Sequence, residues 1–137
     1  VCRGRGERIE PLSLPNALHF VVVRPASGLA TALVFKHCRP AETPATAQPL
    51  VEALQRGDSA RCARLLHNRL QAPAESLNAD VVQMRREFER LPVLGHLMSG
   101  SGTSYFGVCS SRRQASAVAA RLRARRAGRV FVVQCRP

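Results

Sequence analysis

A chain of 137 residues, 45% of them hydrophobic, is long enough to bury one core and too apolar to be disordered by composition. Its 21 basic residues against 9 acidic ones give a net charge of +12, a field that attracts nucleic acid, anionic lipid or nucleotide phosphates but decides nothing about fold, and an arginine-heavy, alanine-rich usage also follows from genome composition alone. Five cysteines, an odd number with no Cys-x-x-Cys pair, argue against a disulfide framework and a zinc site, and no apolar run approaches the ~20 residues that cross a bilayer; the expectation is a reduced, cytoplasmic protein bound to no membrane.

Val1 to Gly6 reads as the interior of a longer chain, because it has no initiator Met. Residues 1–16 form a polar stub in which Arg8-Ile9-Glu10 is a short edge strand. Leu18 to Val23 is rich in β-branched residues and predicts a buried central strand, ended by Arg24-Pro25. Ser27 is placed to cap a helix from Gly28 to Cys38, with Leu29, Ala32, Leu33 and Lys36 on one face. Residues 39–48 are a Pro/Thr/Ala loop. Pro49 opens a helix over 49–56 that Gly57 stops. Asp58 caps another over 59–71, with Cys62, Leu65, Leu66 and Leu70 at helical spacing and Pro73 closing it. Asn78 caps a helix over 79–91, whose Val81, Met84, Phe88 and Leu91 make the strongest amphipathic pattern in the chain.

Val93 to Met98 and Thr103 to Cys109 read as the strands of a hairpin around Ser99-Gly100-Ser101-Gly102. Ser111 and Gln114 have capping-box spacing and start a helix over 112–127; Gly128 ends it, and Arg129 to Cys135 is the last strand. Cys62, Cys109 and Cys135 read as buried. With the extra helices between the first and second core strands set aside, the order is β-α-β-β-α-β, an α+β fold on the ferredoxin-like, split βαβ plan. The domain is expected to run over 17–137, behind the stub 1–16.

The loop Ser99, Gly100, Ser101, Gly102, Thr103, Ser104 is the first chemical candidate. Glycine lets the main chain approach a ligand, successive N–H groups can form an anion nest, and hydroxyls add donors. The same residues also suit a plain hairpin turn, and they match neither the P-loop nor the dinucleotide fingerprint. His19, His37, His67 and His96 have no metal-ligand spacing; His96 is the one nearest the loop. Arg112, Arg113, Arg121, Arg123, Arg125 and Arg126 on the last helix read as a solvated face. Phe20, Phe106 and Phe131 sit in apolar runs and are assigned to the core.

Met98-Ser99-Gly100-Ser101-Gly102-Thr103-Ser104-Tyr105-Phe106-Gly107 resembles the third motif of the GHMP kinases, in which Thr103 stands where Pro or Ala is usual. Leu18 to Pro25 resembles the family strand that ends in Pro, and Ser27 to Ala32 the helix start after it. Leu66-His67-Asn68-Arg69-Leu70-Gln71 is similar to the family's Asn-Asp-Leu/Phe-Glu helix, with Arg69 replacing Asp and Gln71 replacing Glu. The resemblance spans nearly the whole chain and is strongest to the branch of non-mevalonate isoprenoid synthesis. It implies the C-terminal, cleft-forming domain of an ATP-dependent enzyme that phosphorylates an alcohol, with Mg2+. It further implies an N-terminal kinase domain of the same polypeptide that holds the nucleotide loop, Lys and catalytic Asp, and a small-molecule substrate, diphosphocytidyl-methylerythritol. The loop 99–104 would face phosphates and substrate, Asn68 and His96 would be secondary, and no catalytic residue or metal ligand lies in this chain, which alone would be inactive. The alternatives are a basic nucleic-acid-binding module, resting on charge, and a ligand-sensing module, resting on topology.

Overall fold

The structure, a computed structural model, describes residues 1–4 and 6–135. Near the start, β1 (Cys2–Arg3) and β2 (Arg8–Ile9) pair antiparallel as a small separate sheet. The β-branched run becomes β3 (Leu18–Arg24), followed by five helices: α1 (Thr31–His37), α2 (Gln48–Gln55), α3 (Ser59–Arg64), α4 (Gln71–Leu77) and α5 (Ala79–Glu89). The hairpin β4 (Gly95–Met98) and β5 (Tyr105–Cys109), the helix α6 (Arg112–Ala124) and β6 (Arg129–Cys135) complete the chain. The main sheet has the order β4-β5-β3-β6 and is antiparallel at every pairing. That is the α+β, split βαβ arrangement with additional helices inserted after the first core strand.

β3 is central, yet only alternate residues are buried. Val21 and Val23 have no exposure, while Phe20 and Val22 on the opposite face are half-buried. An antiparallel sheet covered mainly on one side produces this, so the continuous apolar run does not mean burial on both faces. Val21 and Val23 join Val34 of α1, Ala74 of α4, Val81, Met84 and Phe88 of α5, and Ala115, Val118, Ala119 and Leu122 of α6 in one core. The other face carries an edge-on Phe20–Phe106 contact with centroids 6.1 Å apart, and Phe131 on edge strand β6 is 48% exposed, so it is not the core residue its apolar run suggests. Cys135 on the same edge is exposed too, whereas Cys62 and Cys109 are buried.

Two glycines let helices press on the hairpin from both sides. A Cβ at Gly107 would lie 2.8 Å from the Phe88 ring, and one at Gly95 would lie 2.8 Å from the Ala63 carbonyl oxygen. Gly95 pairs with Val108, the neighbour of Gly107, so the two glycines face opposite sides of the sheet. α5 therefore seats on one face and α3 on the other.

Several helix limits differ from the expectations. α1 begins at Thr31, not Gly28, and its N-cap is Ala30 without a side-chain bond. Ser27 is not a cap. Its hydroxyl accepts from Asn78 Nδ2 at 3.3 Å, and Val34, not Leu33, faces the core. The helix expected over 59–71 is two helices, broken at 65–70. Asp58 caps the first by accepting from Arg61 N at 2.9 Å, and Pro73 lies inside the first turn of the second, where a missing N–H leaves no helical bond unmade. Asn78 and Ser111 cap as expected, with Asp80 N and Gln114 N as their donors. α6 stops at Ala124 rather than 127 because Arg126 takes a positive φ of 53°.

Truncating Phe88 to Ala removes the fully buried ring that joins α5 to the hairpin and is expected to cost about 3–5 kcal/mol in urea unfolding. In the same assay Val21→Asp is expected to abolish folding while Val22→Asp costs far less, because only Val21 points into the sealed face.

Candidate functional site

The residues between β4 and β5 form a tight turn at one end of the sheet. Ser99 N donates to Ser104 O at 2.8 Å, and Gly102 N donates to Ser99 O at 3.0 Å. Gly100 (φ 57°) and Gly102 (φ 91°) occupy the left-handed region, which a side chain would strain. A Cβ at Gly100 would meet nothing within 4 Å, whereas one at Gly102 would lie 2.9 Å from Met98 Sδ. Gly100 is therefore the open tip and Gly102 the inner hinge. The peptide between Gly102 and Thr103 is cis.

Ser99 and Gly100 are exposed, Ser101, Gly102 and Ser104 are half-buried, and Thr103 is 7% exposed. The Thr103 hydroxyl donates to the Ser27 carbonyl at 2.7 Å, which ties the turn to the segment between β3 and α1 and leaves that group little freedom to meet a ligand. Ser101 Oγ lies 2.8 Å from Thr31 Oγ1 at the start of α1. The Gly102 amide is committed inside the turn. The Gly100 and Ser101 amides enter no backbone bond among the described residues, so main-chain donors for an anion lie at the tip.

Asn68 fixes the turn from the side. Its Nδ2 donates to Met98 O at 2.9 Å and to Gly100 O at 2.8 Å, while its Oδ1 accepts from Leu70 N at 3.0 Å. One amide thus bridges the break between α3 and α4 to the loop. Three residues on, Gln71 Oε1 accepts from Met98 N at 3.1 Å, and its Nε2 donates to Glu75 Oε1 at 2.8 Å. Glu75 also accepts from Arg85 Nε at 3.1 Å, and Arg85 reaches Glu89 at 2.6 Å. An open groove of about 340 Å³ beside the turn is lined by His67, Asn68, Gln71, Glu75, Arg85 and Leu97, among others.

His96 does not reach the tip. Its Nδ1 lies 3.1 Å from the Tyr105 hydroxyl, and its ring lies tilted against both Phe88 and Tyr105. Burial holds the imidazole below its ordinary 6.5, so it is neutral at pH 7, and burial pushes the Tyr105 phenol up to about 12. Burial also raises the Cys62 and Cys109 thiols, which keeps them protonated and poor nucleophiles. The sequence offers Ser27 only as a helix cap and gives Thr31 and Tyr105 no site role. Thr31 and Ser27 meet the turn only through folding, whereas Tyr105 belongs to the quoted motif. Among the described residues, no group of three His, Cys, Asp or Glu side chains converges to hold a metal.

Replacing Asn68 with Ala strips two carbonyls of their donor. It is expected to cost about 1–3 kcal/mol and to speed hydrogen exchange of the 99–104 amides more than that of β3. Gln71→Glu would set a second carboxylate against Glu75. The like charges are expected to lower stability at low salt, and the loss to shrink as salt screens them, as read from urea midpoints at two ionic strengths.

The family model described as GHMP kinases C terminal matches residues 50–127. A 4-diphosphocytidyl-2-C-methyl-D-erythritol kinase from Pelotomaculum thermopropionicum is 37% identical over 125 residues, covering 90% of this chain and 44% of the relative. The protein of the same name from Nocardia farcinica is 38% identical over 126 residues, covering 87% and 41%. The chain thus spans less than half the length of these relatives. A crystal structure of 4-(cytidine 5'-diphospho)-2C-methyl-D-erythritol kinase superposes with a TM-score of 0.81 at 33% identity, over 99% of this chain and 49% of that one. L. major mevalonate kinase in complex with R-mevalonate, at 20% identity and a TM-score of 0.67, shares the fold. With more than half of its residues inside that model, the chain belongs to the GHMP kinase family and carries its C-terminal domain.

Proposed function

We propose that this chain is the C-terminal, cleft-forming domain of a 4-diphosphocytidyl-2-C-methyl-D-erythritol kinase, an ATP-dependent enzyme of non-mevalonate isoprenoid synthesis in the cytoplasm. In this reading, residues 1–16 close the preceding domain and 17–137 form this one. The partner is the N-terminal kinase domain of the same polypeptide, which holds ATP, Mg2+, the Lys and the catalytic Asp. The fragment alone is inactive, and its substrate is the diphosphocytidyl-methylerythritol alcohol.

The observation that carries the reading is the exposed Gly100 tip, held by the Asn68 amide at two carbonyls. Phosphoryl transfer depends on positioning and on charge stabilisation more than on covalent chemistry by the protein. A turn whose tip amides project from a fixed base suits that need. Ser99, Gly100, Ser101 and Ser104 would line the cleft wall, with Gly102 and Thr103 shaping it from inside. Asn68 is a positioning residue, and His96 supports the wall through Tyr105.

The test is Gly100→Ala in the full-length enzyme. No atom lies near the added methyl, so the change strains φ at the tip and leaves packing alone. A fall in kcat/KM of about 10²-fold is expected, with a stability loss of only about 1–2 kcal/mol. Unchanged kinetics would remove the loop from the site. Transfer to a different alcohol would keep the loop and change the substrate.

A further inference from the structure

The end of the sheet that bears the Gly-rich turn has a second feature, on its other flank. Arg24, the last residue of β3, is the direct antiparallel partner of Arg129, the first residue of β6. Directly opposed residues hold their Cβ atoms about 5 Å apart, and like charges there destabilise a sheet. Both arginines are exposed, and no carboxylate among the described residues pairs with either. The nearby acids are otherwise placed. Glu87 binds Arg125 at 2.5 Å, and Asp80 lines an adjoining hollow with Glu87, Arg125 and Arg126.

The two arginines border a hollow of about 420 Å³ whose remaining walls are Pro25, Ala26 and Gly128. Its geometry is fixed. Pro25 is buried, and Gly128 (φ 129°) brings the chain so close that a Cβ there would lie 2.4 Å from the Arg24 carbonyl oxygen. Only glycine permits that approach, which keeps Arg24 and Arg129 in register beside the hollow they line. A fold that needed only solubility would not place two unpaired arginines in register beside a rigid concavity. A doubly charged oxyanion between them would convert the repulsion into two charge-assisted, bidentate contacts.

We propose that Arg24 and Arg129 form a binding site for a phosphate-bearing small molecule, a phosphate or diphosphate group being the part they hold. None of the turn residues 99–104 lines this hollow, and the proposal does not depend on the reaction that turn serves. Inorganic pyrophosphate is the probe, titrated calorimetrically into the 137-residue chain at low and at physiological salt. Arg24→Gln and Arg129→Gln keep the aliphatic stems. Each is expected to weaken binding at least tenfold, while Arg113→Gln on the exposed first turn of α6 changes it less than twofold. Without pyrophosphate, Arg129→Gln is expected to raise Tm by about 1–3 °C by removing the repulsion. Equal weakening by Arg113→Gln would mean diffuse attraction to a basic surface and would overturn the proposal. Absence of binding to the wild-type chain, or a lower Tm in Arg129→Gln, would overturn it as well.

Discussion

Everything proposed for the turn depends on one side-chain amide. Without Asn68, the Met98 and Gly100 carbonyls lose the donor that fixes their direction, and two glycines at positive φ impose no unique path on a six-residue connection. Asn68 lies where the expected long helix breaks, and the break is what frees its amide to point at the hairpin. Its Oδ1 takes Leu70 N, a backbone group left without a helical partner by the same break. One residue thus satisfies the end of one element and sets the shape of another.

The base under the turn is rigid for a separate reason. Gly95 and Gly107 admit α3 and α5 to opposite faces of the same hairpin, within distances that any side chain would forbid. Phe88, Tyr105 and His96 then stack in one layer, the Phe88 and Tyr105 centroids lying 5.1 Å apart. A loop can be held to sub-ångström tolerance only if the strands that carry it cannot shift, and here the strands are gripped from above and below.

The sequence was legible where periodicity or capping acted locally. Val81, Met84, Phe88 and Leu91 all proved buried, the caps Asp58, Asn78 and Ser111 all hold, and the four core strands fall where strands are expected. It failed where tertiary contacts override local signals. Ser27 has the chemistry of a cap but is occupied by Asn78 and Thr103, so α1 starts later. Leu65 and Leu66 continue the helical spacing past Arg64, yet the helix ends there and Asn68, beyond the break, bonds the hairpin turn. Phe131 looks like core because its neighbours are apolar, but an edge strand on a sheet with one open face leaves it half exposed. The site residues were found as a string by motif. Their roles could not be read that way, because Thr103 and Gly102 face inward and Gly100 outward only once the turn is folded.

The charge divides along the same line. Arg85 and Arg125 are paired, Arg123 donates to the Val130 carbonyl at 3.0 Å, and Arg121 and Arg123 occupy the last turn of α6, where cations favour the helix dipole. Those arginines have structural reasons to be where they are. Arg24 and Arg129 have the opposite: their register is unfavourable to the sheet, and the glycine that enforces it is itself strained for any other residue. Composition can account for many arginines, but not for two of them opposed across a ladder with a hollow between. A basic surface that binds only by its net field would tolerate their loss as readily as that of any other surface charge, whereas a built site would not.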